Sequence, residues 1–362
     1  MKFDARSLIS AGLGRVQTVK AATLTPQKNR PGFKVRVGEV ADPRPGPGEM
    51  IVEMKACGLC GTDLEKMRGG YTASMPVIGH EAVGRVAVLG EEVVGFKEGD
   101  AVFPHHHVPC HRCYLCNAGS ETMCDRYRSS NIDPGGFAER FRVPRWNVEM
   151  GGVLHIPREL SFDVAALIEP VACCMRALNK MHVNEGDTVL VAGAGPVGMM
   201  HALLLLEAGA KVTVSDISPE RLKFAEREGV NSVIDAKKDV PNLVKRETGG
   251  RGVDDAIVAT GSSSAMAQCL RSIRKGGQVC LFGVPPKGTV LDYDVSELYN
   301  AEQRVLTSYA ATEVDTKAAL RIIGGNPEGF GRLISHRIPL ASFEEAVDIA
   351  TRGEGMKVVV VP

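Results

Sequence analysis

The sequence lacks any imbalance of charge. Its 43 Lys and Arg residues offset 43 Asp and Glu, which removes the electrostatic case for nucleic acid or an anionic membrane as a partner. It also lacks an apolar run long enough to span a bilayer. The longest dense stretch, Met199 to Leu206, is of helix size and is broken by His201. The N-terminal MKFDARSLISAGLGRV has no apolar segment of secretory type; its basic and small residues leave a weak transit peptide open, and Asp4 speaks mildly against one. Internal repeats and low-complexity segments are missing too. Ten cysteines in 362 residues do not form the dense framework of a disulfide scaffold. They point instead to a reducing, cytoplasmic setting.

What is present suits a globular protein of two domains: the length allows it, and 44% hydrophobic and 24% charged residues are ordinary proportions. Residues 1–19 read as an extension before a first strand at Lys20–Thr25. From Lys34 to Val143 short β-branched runs (KVRVGEV, GEMIVEMKA, EAVGRVAVLG, DAVF, ERFRVP) are cut by Gly and Pro, which predicts an antiparallel, barrel-like body. Beyond about Pro170 the pattern changes. Apolar strands TVLVAG, KVTVSD, SVID, DDAIVAT, QVCLFG and RVLTSYA alternate with helical stretches, the pattern of a doubly wound parallel sheet. After Ala311 come TKAALRIIGG, HRIPL, SFEEAVDIATRG and the closing strand KVVVVP. The expected fold is α/β, with a β-rich domain over 20–171 and 312–362 interrupted by a dinucleotide-binding domain over 172–311.

The strand Thr188–Ala192 runs into GAGPVG, whose Gly193, Gly195 and Gly198 open the following helix. Glycines allow a tight turn and close approach of backbone to a pyrophosphate, which the helix N-terminus attracts. Asp216 ends the next strand, 21 residues after Gly195, where a carboxylate bonds ribose hydroxyls and repels a 2′-phosphate. NAD is therefore expected over NADP. Arg221 keeps NADP in play, although it could equally flank the adenine or be a solvated helix residue.

Cys110, Cys113, Cys116 and Cys124 follow a C-x2-C-x2-C-x7-C spacing. Four thiolates on one short segment suit a closed tetrahedral zinc with no position left for chemistry. An iron–sulfur cluster is the rival, but the last spacing and the missing Pro after Cys124 do not match the bacterial ferredoxin run.

Three separated pieces carry further ligands: Cys60 in ACGLCGTD, His80 and Glu81 in GHE, and Glu169 in IEP. Alone, each is unremarkable; a lone Cys is usually core and Glu-Pro usually a turn. Together, upstream of a dinucleotide motif, Cys60, His80 and Glu169 supply three ligands and an open position, with Glu81 as alternate ligand or supporting group. A metal held there lowers the pKa of a bound alcohol, whose hydride passes to the nicotinamide. The hydroxyl of Thr62 can pass the released proton outward; the alternative is a turn threonine satisfying local backbone. His105, His106 and His107 suggest another metal site, but in a strand their side chains would alternate in direction, and a solvated or packed run is expected.

These motifs, with VIGHEAVGRV, VPCHRCYLCNAGSETMC, GGFAERFRVP, IEPVAC and the ending HRIPL…KVVV, resemble the zinc-containing medium-chain dehydrogenases over residues 20–362. That family pairs a GroES-like catalytic domain with a Rossmann domain. The Glu-Pro at 169–170 resembles the polyol (sorbitol-like) and threonine dehydrogenase branch, since horse-liver-type alcohol dehydrogenases use Cys there. The resemblance implies catalytic zinc at Cys60, His80 and Glu169 with Glu81 alongside, and structural zinc at the four cysteines, two per subunit. It implies NAD against Gly193, Gly195, Pro196, Val197, Gly198, Asp216, Arg221 and Thr260, with Lys357 approaching the pyrophosphate. It implies a homo-oligomer, tetramer or dimer, acting on a small alcohol or polyol. Where the family often carries His three residues after the relay Ser/Thr, this chain has Glu65, expected to end the relay in its place. Polyol or sugar oxidation is the leading expectation. Oxidation of threonine or another secondary alcohol is the alternative within enzymes, and a non-catalytic zinc- and nucleotide-binding relative is the alternative outside them.

Overall fold

Alternating β-branched residues build the first strands. The computed structural model describes residues 17–28, 31–70 and 77–362; residues 1–16, most of the segment read as an extension, lie outside these. Strand β1 (Thr18–Pro26) pairs antiparallel with β2 (Phe33–Ala41) as a separate two-stranded sheet. It begins two residues earlier than the sequence pattern suggested.

Strands β3 (Met50–Gly58), β4 (Glu81–Leu89), β5 (Ala101–Pro104), β6 (Arg140–Val143) and β7 (Val153–His155) form the β-rich body. The central strand β3 buries both faces against neighbours, with Met50, Ile51, Val52 and Met54 at most 1% exposed. Each such side chain contributes roughly 1.5–3 kcal/mol on burial.

The second domain holds β8 (Thr188–Ala192), β9 (Lys211–Asp216), β10 (Ser232–Asp235), β11 (Val253–Val258), β12 (Ile273–Leu281) and β13 (Arg304–Thr307). They are parallel, in the order β10-β9-β8-β11-β12-β13. Order reverses at β8, so a crevice opens beyond the carboxyl ends of β8 and β11, the position at which such sheets bind ligands.

The chain then returns to the β-rich body. Strand β15 (Lys357–Val361) pairs with β3, Val360 opposite Cys57, and β14 (Ile334–Pro339) flanks it. Unlike the antiparallel pairs of β3 with β4, β6 and β15, β14 and β15 run parallel. The helix Phe343–Arg352 between them supplies the crossover that a parallel pair requires. No helix among the described residues is long and apolar enough to cross a membrane.

Candidate active site

Gly58 ends β3 opposite Glu81, the first residue of β4. A Cβ on Gly58 would collide with the Glu81 carboxylate and crowd Lys357, so glycine there makes room for a buried charge. Two residues on, Cys60 caps the helix Gly61–Arg68. One ligand atom from each of Cys60, His80 and Glu81 lies within 4.8 Å of the others. Segments distant in sequence meet here because β3 and β4 are register partners.

Asp63 explains how the set is held. It is wholly buried, its Oδ2 accepts the Cys60 N–H at 3.1 Å, and its Oδ1 stands 3.4 Å from His80 Nδ1. Burial opposes charge on both partners, yet their mutual attraction wins. It holds the Asp63 carboxyl below its usual range and, with Cys60, raises the His80 imidazole well above its own. A carboxylate on Nδ1 leaves Nε2 for a metal, the arrangement that orients ligating histidines. Sequence reasoning passed over Asp63, although its place three residues after Cys60, at N3 of the helix, was a visible signal.

Lys357 was expected to approach the cofactor pyrophosphate. Its ammonium is instead turned inward, 4% exposed, with Nζ donating to Glu81 Oε1 at 2.6 Å. Burial would lower its pKa, but Glu81 and then Cys60 raise it. Glu65 likewise departs from the expected relay. Its Oε1 accepts from Arg68 Nη1 at 2.7 Å near the surface, because one helical turn brings an opposite charge beside it. Thr62 lies half-buried in the first turn of the same helix.

Glu169 sits in the first turn of the helix Ile168–Met181, so its Glu-Pro pair opens a helix and is not a turn. Its ligand oxygen lies within 4.8 Å of nitrogens on His105 and His106. Burial raises its pKa to about 7, with His80 lowering and Glu81 raising it. The histidine run is packed, and it lies just past the end of β5, outside the strand. Burial takes His105 down to about 3 and His107 to about 4. The ring centroids of His106 and His80 are 5.2 Å apart.

The same helix reaches the dinucleotide turn. Cys174, five residues after Glu169, has its Sγ 3.9 Å from the Val197 carbonyl oxygen. There Gly193 adopts φ 103° and its N–H donates to Ser215 O at 2.7 Å; Gly195 caps the helix Pro196–Glu207, with Pro196 in its first turn. A side chain on Gly198 would run into the Gly193 carbonyl oxygen. Asp216 accepts the N–H groups of Ala194 at 2.7 Å and Ser218 at 2.8 Å, fixing both loops around the crevice. Thr260 faces Gly193 across the turn. Arg221 stands beside Gly195 and donates to Gly353 O at 3.3 Å, bridging the domains.

In the cysteine lobe the sulfurs of Cys110, Cys113, Cys116 and Cys124 are 3.5 to 3.9 Å apart along their contacts. A tetrahedron with Zn–S of about 2.3 Å has edges of ~3.8 Å, so the donors fit that ion. The backbone N–H of Arg112 lowers the Cys110 thiol to about 6 against the opposing effect of burial. Tyr127, wholly buried, ties the lobe to the domain junction through a 2.5 Å hydrogen bond to Ala311 O.

Comparison with known proteins agrees with this geometry. Residues 46–157 match the alcohol dehydrogenase GroES-like domain, and residues 196–324 match the zinc-binding dehydrogenase family. An erythritol/L-threitol dehydrogenase of Mycolicibacterium smegmatis is 30% identical, covering 90% of this chain and 94% of that protein. An L-threonine 3-dehydrogenase of Deinococcus deserti is also 30% identical, over 93% and 97%. A structure described as a zinc-binding dehydrogenase from Sinorhizobium meliloti, bound to NADP, superposes with TM-score 0.84 at 28% identity, over 96% and 100% of the two chains.

Proposed function

Because the chain belongs to the zinc-containing medium-chain dehydrogenases, in their polyol and threonine dehydrogenase branch, we propose that it oxidises a secondary hydroxyl of a sugar or polyol to a carbonyl, with NAD as hydride acceptor. The observation that carries this reading is the helix Ile168–Met181. It carries Glu169, whose carboxyl interacts electrostatically with His80 and Glu81, and Cys174, whose Sγ approaches Val197 O beside the dinucleotide turn, which supports adjoining sites.

The residues divide the work. Cys60, His80 and Glu81, with Glu169 beside them, suit a zinc ion, and the four cysteines suit a second. Zinc in the first site supplies the Lewis acidity that makes a hydroxyl acidic near neutral pH. Asp63 keeps the His80 ring oriented, and Lys357 balances the Glu81 charge. The Thr62 hydroxyl, two residues from Cys60, passes the alcohol proton outward. Asp216 both shapes the turn and favours NAD by repelling a ribose 2′-phosphate; Arg221 beside Gly195 favours the phosphate-bearing cofactor, and the buried carboxylate outweighs it. The threonine relative supports threonine as a second substrate reading.

Assembly as a homo-oligomer is supported by the edge of the parallel sheet. Strand β13 has Val305 exposed, and Val295 and Tyr299 before it and Tyr309 and Val314 after it in the chain are 45–80% exposed. Among the described residues no strand pairs the outer edge of β13, and an exposed edge of this kind is a template for pairing with another copy. Ten free cysteines fit a cytoplasmic location.

The test is NAD⁺ reduction by zinc-loaded protein over a panel of polyols, aldoses, threonine and simple secondary alcohols. A preferred polyol, with turnover abolished in Cys60→Ser, is the expected result. Absence of turnover with NAD⁺ and NADP⁺ in both directions would overturn the reading.

A further inference from the structure

We propose that Arg176 is a positioning residue through which the four-cysteine lobe sets the place of the helix Ile168–Met181, so that metal in the lobe and NAD in the crevice strengthen each other's binding. The two ligands are those of the reading above, on which this linkage rests.

Arg176 lies about two helical turns beyond Glu169 and two residues beyond Cys174, on a helix whose buried face is otherwise mostly small and apolar, as at Val171, Ala172 and Ala177. Apolar burial is non-directional, so it does not by itself fix where such a helix lies along its axis. The guanidinium supplies direction. Arg176 is 9% exposed, with Nη2 donating to Glu121 Oε2 at 2.7 Å and Nη1 to Asp315 Oδ2 at 3.4 Å. Asp315 is itself fixed, accepting the Thr312 N–H at 2.8 Å and the Thr312 hydroxyl at 2.9 Å in the first turn of the helix Glu313–Gly325. Burial would raise the Glu121 carboxyl, but the hydrogen bond from Arg176 holds it below its usual range.

Glu121 belongs to the lobe. It opens the short turn Glu121–Met123, between Cys116 and Cys124. The lobe has almost no core besides its sulfurs, since the buried group there is Cys110, Cys116, Cys124 and Tyr127. Metal held by the four thiolates therefore supplies much of the lobe's folding energy. Loss of that metal frees the turn that places Glu121 and leaves Arg176 with one carboxylate in place of two. At the other end of the linkage, Cys174 Sγ stands 3.9 Å from Val197 O, in the first turn of the helix Pro196–Glu207. A shift of the helix Ile168–Met181 thus reaches the turn that receives the pyrophosphate. Linkage is reciprocal, so NAD that holds this turn in place favours the metal-bound lobe by the same factor.

The experiment uses the full-length protein with cobalt(II) in the lobe, followed by thiolate-to-cobalt charge-transfer absorption in the near ultraviolet. A Cys60→Ser background removes the thiolate of the Cys60–His80–Glu81 set, so that the absorption reports the lobe. Chelator competition is run with and without saturating NAD, whose binding is checked by calorimetry. NAD should raise the lobe's affinity for cobalt about fivefold or more, and the ratio should fall to near one in Arg176→Met. Arg176→Lys keeps the charge but not the fork and should restore part of the ratio. A residue of purely structural worth would lower both affinities and leave their ratio unchanged. That result, or a ratio of one in the parent protein, overturns the proposal. If Arg176→Met fails to fold by circular dichroism, Glu121→Gln and the parent ratio still decide. A protein that binds neither NAD nor NADP loses the dehydrogenase reading and this linkage together, whereas NAD binding without linkage loses the linkage alone.

Discussion

Lys357 Nζ donates to Glu81 Oε1 at 2.6 Å across 276 residues of sequence, with both side chains buried. The contact joins the closing strand β15 to the first residue of β4 and lies under the Cys60–His80 ligands. It is the point at which the chain's end secures its active site.

Removing one partner leaves a buried charge alone. Lys357→Met is expected to lower the unfolding free energy by about 3–5 kcal/mol, read by urea denaturation. Adding Glu81→Gln should recover part of the loss. A single variant as stable as wild type would show that the pair is not held in solution.

Asp63→Asn removes the carboxylate that orients His80. Zinc affinity at the Cys60 site should fall about 10- to 100-fold, measured by competition with a chelator, while zinc in the cysteine lobe is retained. Equal loss at both sites would mean general unfolding and not a positioning role.

Asp216→Ala deletes the acceptor for the Ala194 and Ser218 N–H groups. NAD binding, followed by calorimetry, should weaken at least about tenfold, roughly the worth of one charged hydrogen bond. Binding of NADP should weaken less, because the repulsion of its phosphate is lost as well. An unchanged ratio of the two affinities would remove Asp216 from cofactor choice.

Asp254 gives a pH prediction far from the metals. Its carboxylate accepts from Thr188 N at 2.8 Å, Thr188 Oγ1 at 2.7 Å, Arg251 Nη1 at 2.6 Å and Arg274 Nε at 2.7 Å. Burial opposes its charge, but Arg251 and these other donors hold its pKa well below the usual range. A depressed folded-state pKa adds stability above the unfolded value of about 3.9, lost as pH falls toward the folded value. Asp254→Asn should therefore melt below wild type at pH 7, by about 1–2 kcal/mol, and the gap should narrow below pH 4. A gap constant with pH would contradict this assignment.

Much was legible in the chain itself. The alternation of apolar strands with helical stretches identified the parallel sheet, because a doubly wound domain needs that order. The glycine spacing before Asp216 and the spacing of Cys110, Cys113, Cys116 and Cys124 are local patterns, each confined to a few turns of chain. Cys60, His80 and Glu169 were read as one ligand set only by combining pieces that mean little alone, and the fold gathers Cys60 and His80 with Glu81, and Glu169 with His105 and His106. Other features belong to the tertiary structure. Whether three consecutive histidines alternate or converge depends on β5 stopping at Pro104. Glu65 is captured by Arg68, and Lys357 by Glu81, because packing sets which opposite charge comes within reach. Residue types and short spacings thus determined which chemistry the chain carries. Only the fold decided which of those groups share a buried space, since burial makes an unpaired charge or imidazole costly enough to select its partner.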